Sequence, residues 1–315
     1  MDFRIFNGTM GMLCLWMLLF PSCMDKEHVV PILEDGRYTI QLGNQIMEID
    51  PSTGGRITSL KLDGENFLTD ENVDSFNWGS TFWPSPQSDW GWPPSPELDN
   101  KPYTDASMGP VVKMVSGKDP KTGYVITKAI RGKTTTASFL ITYSITNTSD
   151  SVQKVAPWEV TRVHINGMAF YPMGAGKRTG GLLPLVTERK GIVWFVYDGG
   201  GLPTSGDRQL YSDGSEGWLA QVNDSVILVK KFEDIAWIDK APEEGEVELF
   251  ASDIRKTGTG YVEIEHQGAY QELEPGESLV WDVEWFLRKL PPEITPEMGN
   301  DRLVEYVRDL IQARP

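Results

Sequence analysis

The sequence predicts an all-β protein with one short helix near its C-terminus, and three observations carry this prediction. Apolar and polar residues alternate along most of the chain after about residue 36; in "ASFLITYSITNTSD" one face carries Phe139, Ile141, Tyr143 and Ile145. Gly, Pro, Asn and Asp residues interrupt the alternation, as they do in turns between strands. Only one segment, near the C-terminus, has the spacing of an amphipathic helix.

The alternating segments recur in chain order and greatly outnumber the helical one. They are "QIMEID", "RITSLKL", "GIVWFVYD", "WLAQV", "VILVKKF", "EVELFASD", "YVEIEH" and "SLVWDVEWFL". We therefore expect an antiparallel domain of about a dozen strands or more. The helical segment, "EMGNDRLVEYVRDLIQ", follows Thr295 and Pro296, and one side of it carries Leu303, Val304, Val307, Leu310 and Ile311.

Composition and charge limit the classes of function. The chain has 315 residues, 40% of them apolar and 23% charged, which is typical of a globular domain. Its formal net charge is −16, and Lys and Arg form no cluster that could neutralise phosphates. Nucleic acid is therefore excluded as the main partner.

The N-terminal segment has the layout of an export signal. In "MDFRIFNGTMGMLCLWMLLFPSC" an early Arg4 precedes an apolar run that ends shortly before Cys23. The ending "LFPSC" resembles the bacterial lipobox, in which the cysteine is lipidated, whereas the simpler alternative is a cleaved signal with an incidental cysteine. We expect an exported, membrane-anchored lipoprotein that contacts the membrane through its N-terminal lipid only.

The domain boundaries follow from this reading. Residues 1–23 are the predicted lipoprotein signal, residues 24–35 a tether and residues 36–315 one β-sandwich domain without an internal repeat or linker. Cys14 lies inside the apolar run and is removed with it. The mature chain then has no cysteine pair for a disulfide, so a large core must stabilise it.

A tryptophan-proline block is the most unusual part of the sequence. "FNWGSTFWPSPQSDWGWPPSPELD", residues 76–99, contains five prolines and the indoles of Trp78, Trp83, Trp90 and Trp92. Because proline removes a backbone donor and restricts its neighbours, we expect a long, stiff loop that is neither helix nor central strand. Indole faces stack on sugar rings, so one or two of these residues are expected at a ligand; the alternative is a plug that closes one end of the sandwich.

Four segments resemble a known family. "IDPSTGGRITSLKLDGENFLT", "NWGSTFWPSPQSDWGWPPSP", "APWEVTRV" and "YQELEPGESLVWDVEWFL" are similar to an uncharacterised bacterial family related to the galactose mutarotases and aldose 1-epimerases. The resemblance covers nearly the whole mature chain and implies a galactose mutarotase-like β-supersandwich whose concave face holds a carbohydrate. One departure is clear, because the Asn-His-x-Tyr-Phe-Asn-Leu type segment of galactose mutarotases is absent.

Carboxylates are the first candidates for catalysis. Opening a pyranose ring requires a base for the anomeric hydroxyl and an acid for the ring oxygen. Glu159 lies beside Trp158 and three positions before Arg162; in a regular strand Glu159 and Arg162 face opposite sides, so joint action requires a bulge, and a surface ion pair is the alternative. Glu265 shares a polar face with Glu263 that either lines a cleft or faces solvent.

Histidines are the second candidates for the acid. His266 in "IEHQGAY" is one, although its alternation with Val262 and Ile264 also suits a core position. His164 precedes an Asn-Gly turn and is equally consistent with an exposed strand end. The third histidine, His28, falls in the predicted tether.

Basic residues complete the candidate site. Arg56, beside a Gly-Gly turn, and Lys231, in "VKKF", could anchor sugar hydroxyls or a carboxylate, with surface charge as the alternative. The predicted substrate-binding set is Trp78, Trp83, Trp90, Trp92, Trp158, Arg56 and Lys231. No His-Glu-x-x-His motif, cysteine pair or calcium loop occurs, so neither a metal nor another cofactor is expected.

Functions from two classes remain open. The first is a cofactor-free sugar epimerase or mutarotase-like enzyme that uses Glu159 or Glu265 as base. The second is a surface lipoprotein that binds a glycan without chemistry. A glycan-cleaving enzyme is a further variant, which would require two facing carboxylates.

Overall fold

The computed structural model describes residue 1, residues 27–254 and residues 259–312. Within these residues the chain forms 21 strands, two α-helices and three short 3-10 turns. Cys23 and the predicted signal segment lie outside the described residues, apart from residue 1. In the part of the chain that is described, no helix combines the length and apolar character needed to cross a bilayer.

The strands have between 2 and 12 residues, and the longest strands lie near the centre of each sheet. Their bounds are β1 Ile32–Glu34, β2 Arg37–Leu42, β3 Gln45–Asp50, β4 Arg56–Leu62, β5 Glu65–Asn66, β6 Ser80–Ser85, β7 Thr104–Asp105, β8 Val112–Val115, β9 Tyr124–Lys133, β10 Ser138–Asn147, β11 Gln153–His164, β12 Gly167–Pro172, β13 Val186–Arg189, β14 Ile192–Tyr197, β15 Gln209–Ser212, β16 Trp218–Asn223, β17 Val226–Lys231, β18 Val247–Ala251, β19 Tyr261–Gln267, β20 Gln271–Leu273 and β21 Ser278–Lys289. The helices are α1 Pro96–Asp99 and α2 Asp301–Gln312, and the 3-10 turns are Gln87–Asp89, Leu183–Leu185 and Trp237–Asp239.

The strands form two antiparallel sheets. The first has 11 strands in the order β1-β2-β3-β4-β6-β11-β19-β18-β15, with β5 paired to β4 and β20 paired to β11. The second has 10 strands in the order β13-β14-β12-β16-β17-β21-β10-β9-β8-β7. The predicted all-β class with a short C-terminal helix is therefore confirmed.

The core lies between the two sheets and follows from the alternation of the sequence. Along β10, Ile141, Tyr143 and Ile145 are buried while the residues between them are partly exposed, as predicted. Phe82 of the first sheet stacks on Tyr143 of the second, with ring centroids 4.0 Å apart. Such interdigitation of inward-facing side chains holds the two layers together.

Helix α2 covers the outer face of the ten-stranded sheet. Its apolar side, which includes Leu303 and Val307, packs in one cluster with Phe170, Trp194 and Trp218. These three aromatic residues alternate with core residues on their strands, so they point away from the other sheet.

The tryptophan-proline block is partly a strand, which corrects the prediction of a loop. Residues 80–85 form β6, which pairs with β11 along its length. Pro84 stands directly opposite Pro157, and β6 pairs with β4 only through Ser80 and Ile57. Neither proline therefore has to donate a ladder hydrogen bond, and both can occupy a strand.

Candidate functional site

A cleft lies on the outer face of the 11-stranded sheet. Its cavity has a volume of about 750 Å³ and is lined by residues of β6, β11, β15, β18 and β19 and of the tryptophan-proline block. Two kinds of side chain dominate its lining: the indoles of Trp83, Trp92 and Trp158 and the carboxyl groups of Glu248, Glu263 and Glu265.

Strand register places the carboxyl groups on the floor of the cleft. Glu265 of β19 is directly opposite Glu248 of β18, and Glu248 is directly opposite Tyr211 of β15. Opposite residues of an antiparallel pair share one face, so the three side chains form a row across the sheet. Glu263 lies two residues from Glu265 and therefore projects from the same face.

Tryptophans form one wall. Trp83 of β6 is directly opposite Trp158 of β11, and their ring centroids are 5.4 Å apart. Trp92 meets Trp83 edge to face at 5.9 Å and is 54% exposed, whereas Trp83 and Trp158 are buried. The Nε1 of Trp83 donates to Asp99 Oδ1 at 2.8 Å. The buried Nε1 of Trp158 has no hydrogen-bond partner among the described residues.

Amide groups fix the floor carboxyls. Gln209 Nε2 donates to Glu248 Oε2 at 2.7 Å and to Glu265 Oε1 at 3.2 Å. Gln267 Nε2 donates to Glu248 Oε1 at 2.8 Å. The tryptophan-proline block joins this network because the Gln87 N–H donates to Glu244 Oε1 at 2.7 Å.

Burial shifts the titration of the floor. It raises the pKa of Glu265 and Glu248 well above the usual glutamate value, and neighbouring carboxylates raise both further. Burial also raises the pKa of Glu263, but the adjacent Arg162 opposes that shift. The floor thus combines two carboxyls whose raised pKa favours the protonated form with one that is paired to a cation, and such a contrast suits acid–base chemistry.

Arg162 lies behind both the wall and the floor. Its Nε donates to Glu263 Oε1 at 2.7 Å and one of its Nη atoms to Thr81 Oγ1 at 2.6 Å, and its guanidinium lies 5.0 Å from the ring centroid of Trp83. The side chain is fully buried. Arg162 therefore holds Glu263 and Trp83 in place rather than facing the cavity itself.

Glu159 lies on the opposite face of β11, between the two sheets. It accepts hydrogen bonds from Tyr143 at 2.6 Å, Lys230 at 2.7 Å and Trp285 at 3.1 Å, and its side chain is fully buried. No register shift interrupts β11 against β6 or β19, so no bulge turns Glu159 toward Arg162. Because this carboxylate does not reach the cleft, we remove Glu159 from the candidate catalytic residues.

His266 shares that inner location. Its ring stacks on Phe232 at 4.4 Å and is fully buried, and its Nε2 is 3.6 Å from Glu159 Oε1. Burial lowers the pKa of His266 well below the usual value, and Lys230 lowers it further, so the ring is neutral at pH 7. His266 therefore occupies a core position, the alternative that the sequence left open, and it too leaves the catalytic set.

Arg56 and Trp78 support the tryptophan-proline block from behind. Buried Arg56 donates to the carbonyl of Phe76 at 2.9 Å and to Asp99 Oδ2 at 3.3 Å, and its guanidinium lies 4.9 Å from the ring of Trp78. Since Asp99 also binds Trp83, Arg56 acts on the cleft wall through that carboxylate.

The other predicted residues lie away from the cavity. Trp90 packs behind Trp83 and Trp158, and its Nε1 donates to the carbonyl of Pro84 at 2.7 Å. Lys231 is exposed and donates to the carbonyl of Ile311 at the end of α2. Of the predicted set, Glu265, Trp83, Trp92 and Trp158 line the cleft.

Sequence reasoning missed Glu248, Gln209 and Tyr211. In "EVELFASD" Glu248 alternates with Val247 and Leu249, a pattern equally typical of a solvated strand face. Only the packing of the neighbouring strands and loops shows that Glu248 is buried at the floor of a cleft. Among the described residues, no three His, Cys, Asp or Glu side chains are arranged to hold a metal ion.

Comparisons with known proteins indicate where this architecture recurs. No family model and no curated protein matches the chain. Solved structures do match. A provisionally assigned aldose 1-epimerase of Escherichia coli K12 is 12% identical with a TM-score of 0.54, over 81% of this chain and 99% of that one. A galactose mutarotase-like protein of Lactobacillus casei is 13% identical with a TM-score of 0.53, over 80% of this chain and 100% of that one.

A third structure gives the same result. A galactose mutarotase related enzyme of Lactobacillus acidophilus is 10% identical with a TM-score of 0.55, over 82% of this chain and 99% of that one. At such identities the likeness is one of fold. The resemblance seen in the sequence is thereby confirmed at that level: the chain shares its β-sandwich fold with these mutarotase-like and epimerase-like structures.

Proposed function

We propose that this protein binds a carbohydrate in the cleft and catalyses proton transfer at the anomeric centre, as a cofactor-free mutarotase or epimerase. The observation that carries the proposal is the composition of the cleft, in which three indoles face a floor of buried carboxyl groups. Sugars require both features, because one side of a pyranose ring is apolar while its edge is a ring of hydroxyl groups.

The tryptophan wall supplies binding. Trp92 is exposed and contacts the buried Trp83, which in turn contacts Trp158, so a sugar ring that packs on Trp92 extends an existing aromatic cluster. Hydrogen bonds from Trp83 to Asp99 and from Gln87 to Glu244 hold the wall before a ligand enters. Such preorganisation reduces the entropy lost on binding.

The floor supplies the proton transfers. Glu265, whose raised pKa favours the protonated form, is the acid that protonates the ring oxygen, while Glu263, whose ionised form Arg162 stabilises, accepts the proton of the anomeric hydroxyl. The bond between C1 and the ring oxygen then breaks and leaves an open-chain aldehyde. Rotation about the C1–C2 bond turns the other face of the aldehyde toward the C5 hydroxyl group. Ring closure, with both proton transfers reversed, then gives the other anomer and restores both carboxyls.

Anomer exchange followed by NMR, combined with calorimetry on the same sugars, tests this proposal. Glu265→Gln keeps the size of the acid but cannot donate its proton, so we expect exchange to slow by about 10²-fold or more while affinity is retained. Trp92→Ala is expected to weaken binding by about 1–3 kcal/mol. The matched control is Trp237→Ala, since Trp237 is also partly exposed but lies outside the cleft.

Glycan binding without catalysis is the second candidate. It is favoured by the position of the histidines, because neither His164 nor His266 lines the cleft and galactose mutarotases are known for histidines at the sugar. Sugar binding by the wild type without any acceleration of anomer exchange would select this function over the enzyme.

Export and lipid anchoring belong to the same proposal. Their support is the apolar N-terminal run that ends close to Cys23 in "LFPSC". Cys23→Ser is expected to move the protein from the membrane fraction to the soluble fraction, and unchanged membrane association would contradict lipidation.

A further inference from the structure

The charges that line the cleft are strongly unbalanced. Among the described residues, one arginine lines it, Arg208, against five glutamates, namely Glu243, Glu244, Glu248, Glu263 and Glu265. Arg208 is partly engaged elsewhere, because its Nη1 lies 3.6 Å from Asp253 Oδ2 and its guanidinium 5.4 Å from the ring centroid of Phe250, while its buried Nε has no hydrogen-bond partner among the described residues. Arg162 is fully buried and already paired with Glu263. The cavity thus offers many acceptors and little free positive charge.

The wall adds an independent observation. Trp158 lines the cleft and is buried, yet its Nε1 has no hydrogen-bond partner among the described residues. A buried donor left without a partner costs free energy. Trp92 and Trp83 provide aromatic surface beside the carboxyls, and this combination attracts organic cations.

These features lead to a substrate class, provided that the proposed sugar site is correct. We infer that the cleft prefers sugars with a free amino group and excludes sugars that carry a carboxylate or a phosphate. An ammonium group finds glutamate carboxyls and the exposed indole face of Trp92. An anionic group meets, in the described lining, five glutamates and a single arginine, whose charge Asp253 already offsets, and the net charge of −16 disfavours its approach to the cleft.

The number of protons released or taken up on binding should also depend on the charge of the sugar. Burial and neighbouring carboxylates raise the pKa of Glu248 and Glu265, which favours their protonated forms. A bound ammonium beside Glu248 favours the ionised form of that residue, so an amino sugar releases a proton when it binds, while Glu265 keeps the proton that its role as acid requires. A neutral sugar leaves their protonation nearly unchanged, and an anionic sugar can bind only with proton uptake.

The experiment is calorimetry on a matched sugar panel with the full chain. Each of the gluco and galacto series contains the 2-amino sugar, its N-acetyl form, the neutral sugar, the uronate and the 6-phosphate, at low salt and below the pKa of the sugar amine. Measurement in two buffers of different ionisation enthalpy gives the protons exchanged. We expect the amino sugar to bind at least about 10-fold more tightly than its N-acetyl form with proton release, and the uronate at least about 10-fold more weakly than the neutral sugar.

Glu243 offers a mild variant, because it is exposed at the rim of the cleft. Glu243→Gln is expected to reduce the affinity for the amino sugar several-fold more than the affinity for the neutral sugar. Glu233→Gln is the matched control, since Glu233 is equally exposed but lies outside the cleft.

Three results would overturn the inference, and they are distinguishable. If uronates or phosphates bind as tightly as neutral sugars, charge selection is wrong while the sugar site stands. If amino and N-acetyl sugars bind equally and no proton is released, the amine preference is wrong. If no sugar of the panel binds to the folded protein, the proposed function fails together with this inference.

Discussion

The two faces of strands β11 and β19 carry ionisable groups in very different states. On the inner face, Glu159 is matched by Lys230, and the pair also binds Tyr143 and Trp285. On the outer face, Glu263 and Glu265 stand near further glutamates around a cavity. Adjacent residues of β19 thus belong to different environments: His266 lies beside the charge-balanced inner pair, and Glu265 lies on the acidic outer face.

The difference distinguishes charges that stabilise the fold from charges that are available to a ligand. Lys230 Nζ bonds to Glu159 and Thr161 and lies 4.5 Å from the ring centroid of Trp285, so the inner charges are satisfied by protein alone. The outer carboxyls repel one another, and burial raises their pKa. A surplus of like charge opposes folding and is typical of a functional site.

Breaking the inner pair is expected to have the largest effect on stability. Lys230→Met leaves Glu159 buried without its cation, which typically costs about 3–5 kcal/mol of the free energy of unfolding. Lys231→Met, one position along, changes an exposed residue and should cost less than about 1 kcal/mol. Denaturant unfolding of both variants measures the contrast. Equal stabilities would show that the inner network is not structural.

Arg162 lies on the outer face, where it contacts both Glu263 and Trp83, and replacing it is expected to have the second largest effect on stability. Arg162→Met removes the partner of buried Glu263 and the cation beside Trp83, for an expected loss of about 2–4 kcal/mol. Because Arg162 lowers the pKa of Glu263, the variant should raise that pKa. The acidic limb of the pH dependence of anomer exchange then moves to higher pH. A loss of stability without this movement would indicate packing alone.

The free energy of unfolding should also depend on pH through the outer-face carboxyls of Glu248 and Glu265. The folded-state pKa values of Glu248 and Glu265 lie above the usual 4.5, so the folded protein binds more protons than the unfolded chain. Their contribution is fully present below about pH 4.5 and is lost as the pH rises through the folded-state values, by up to about 1.4 kcal/mol per pH unit for each group. Unfolding across a pH series should therefore show a flatter slope for Glu265→Gln, and an unchanged slope would contradict the assignment.

The sequence predicted the class of fold because alternation survives wherever one face of a strand is exposed, as in β9 and β10. Alternation of exposed and buried residues is lost at β11, whose central residues are buried on both faces because Trp83 and Trp90 of the tryptophan-proline block pack on Trp158 and Val160. Period two could show that Glu159 and Arg162 point apart, but not which of them faces outward. That choice depends on the neighbouring sheet, which no local pattern encodes.

Site residues were predictable where composition was unusual. Trp83 and Trp92 were recognised by their density among prolines, whereas Glu248 resembled any acidic strand residue. The same limit explains why Lys231 was chosen instead of Lys230: adjacent lysines differ only in strand parity, and one is exposed while the other is fully buried between the sheets.

The grouping of indoles at the cleft also has an optical consequence. Trp83 lies 5.4 Å from Trp158 and 5.9 Å from Trp92, with interplanar angles of 75° and 79°. At such separations neighbouring indoles share their excited states, and the sign and strength of the near-ultraviolet circular dichroism depend on the angles between the rings. Because Trp92 is the exposed member, a molecule that enters the cleft perturbs the whole group. The protein therefore carries its own spectroscopic label, and occupancy of the cleft can be followed without any dye.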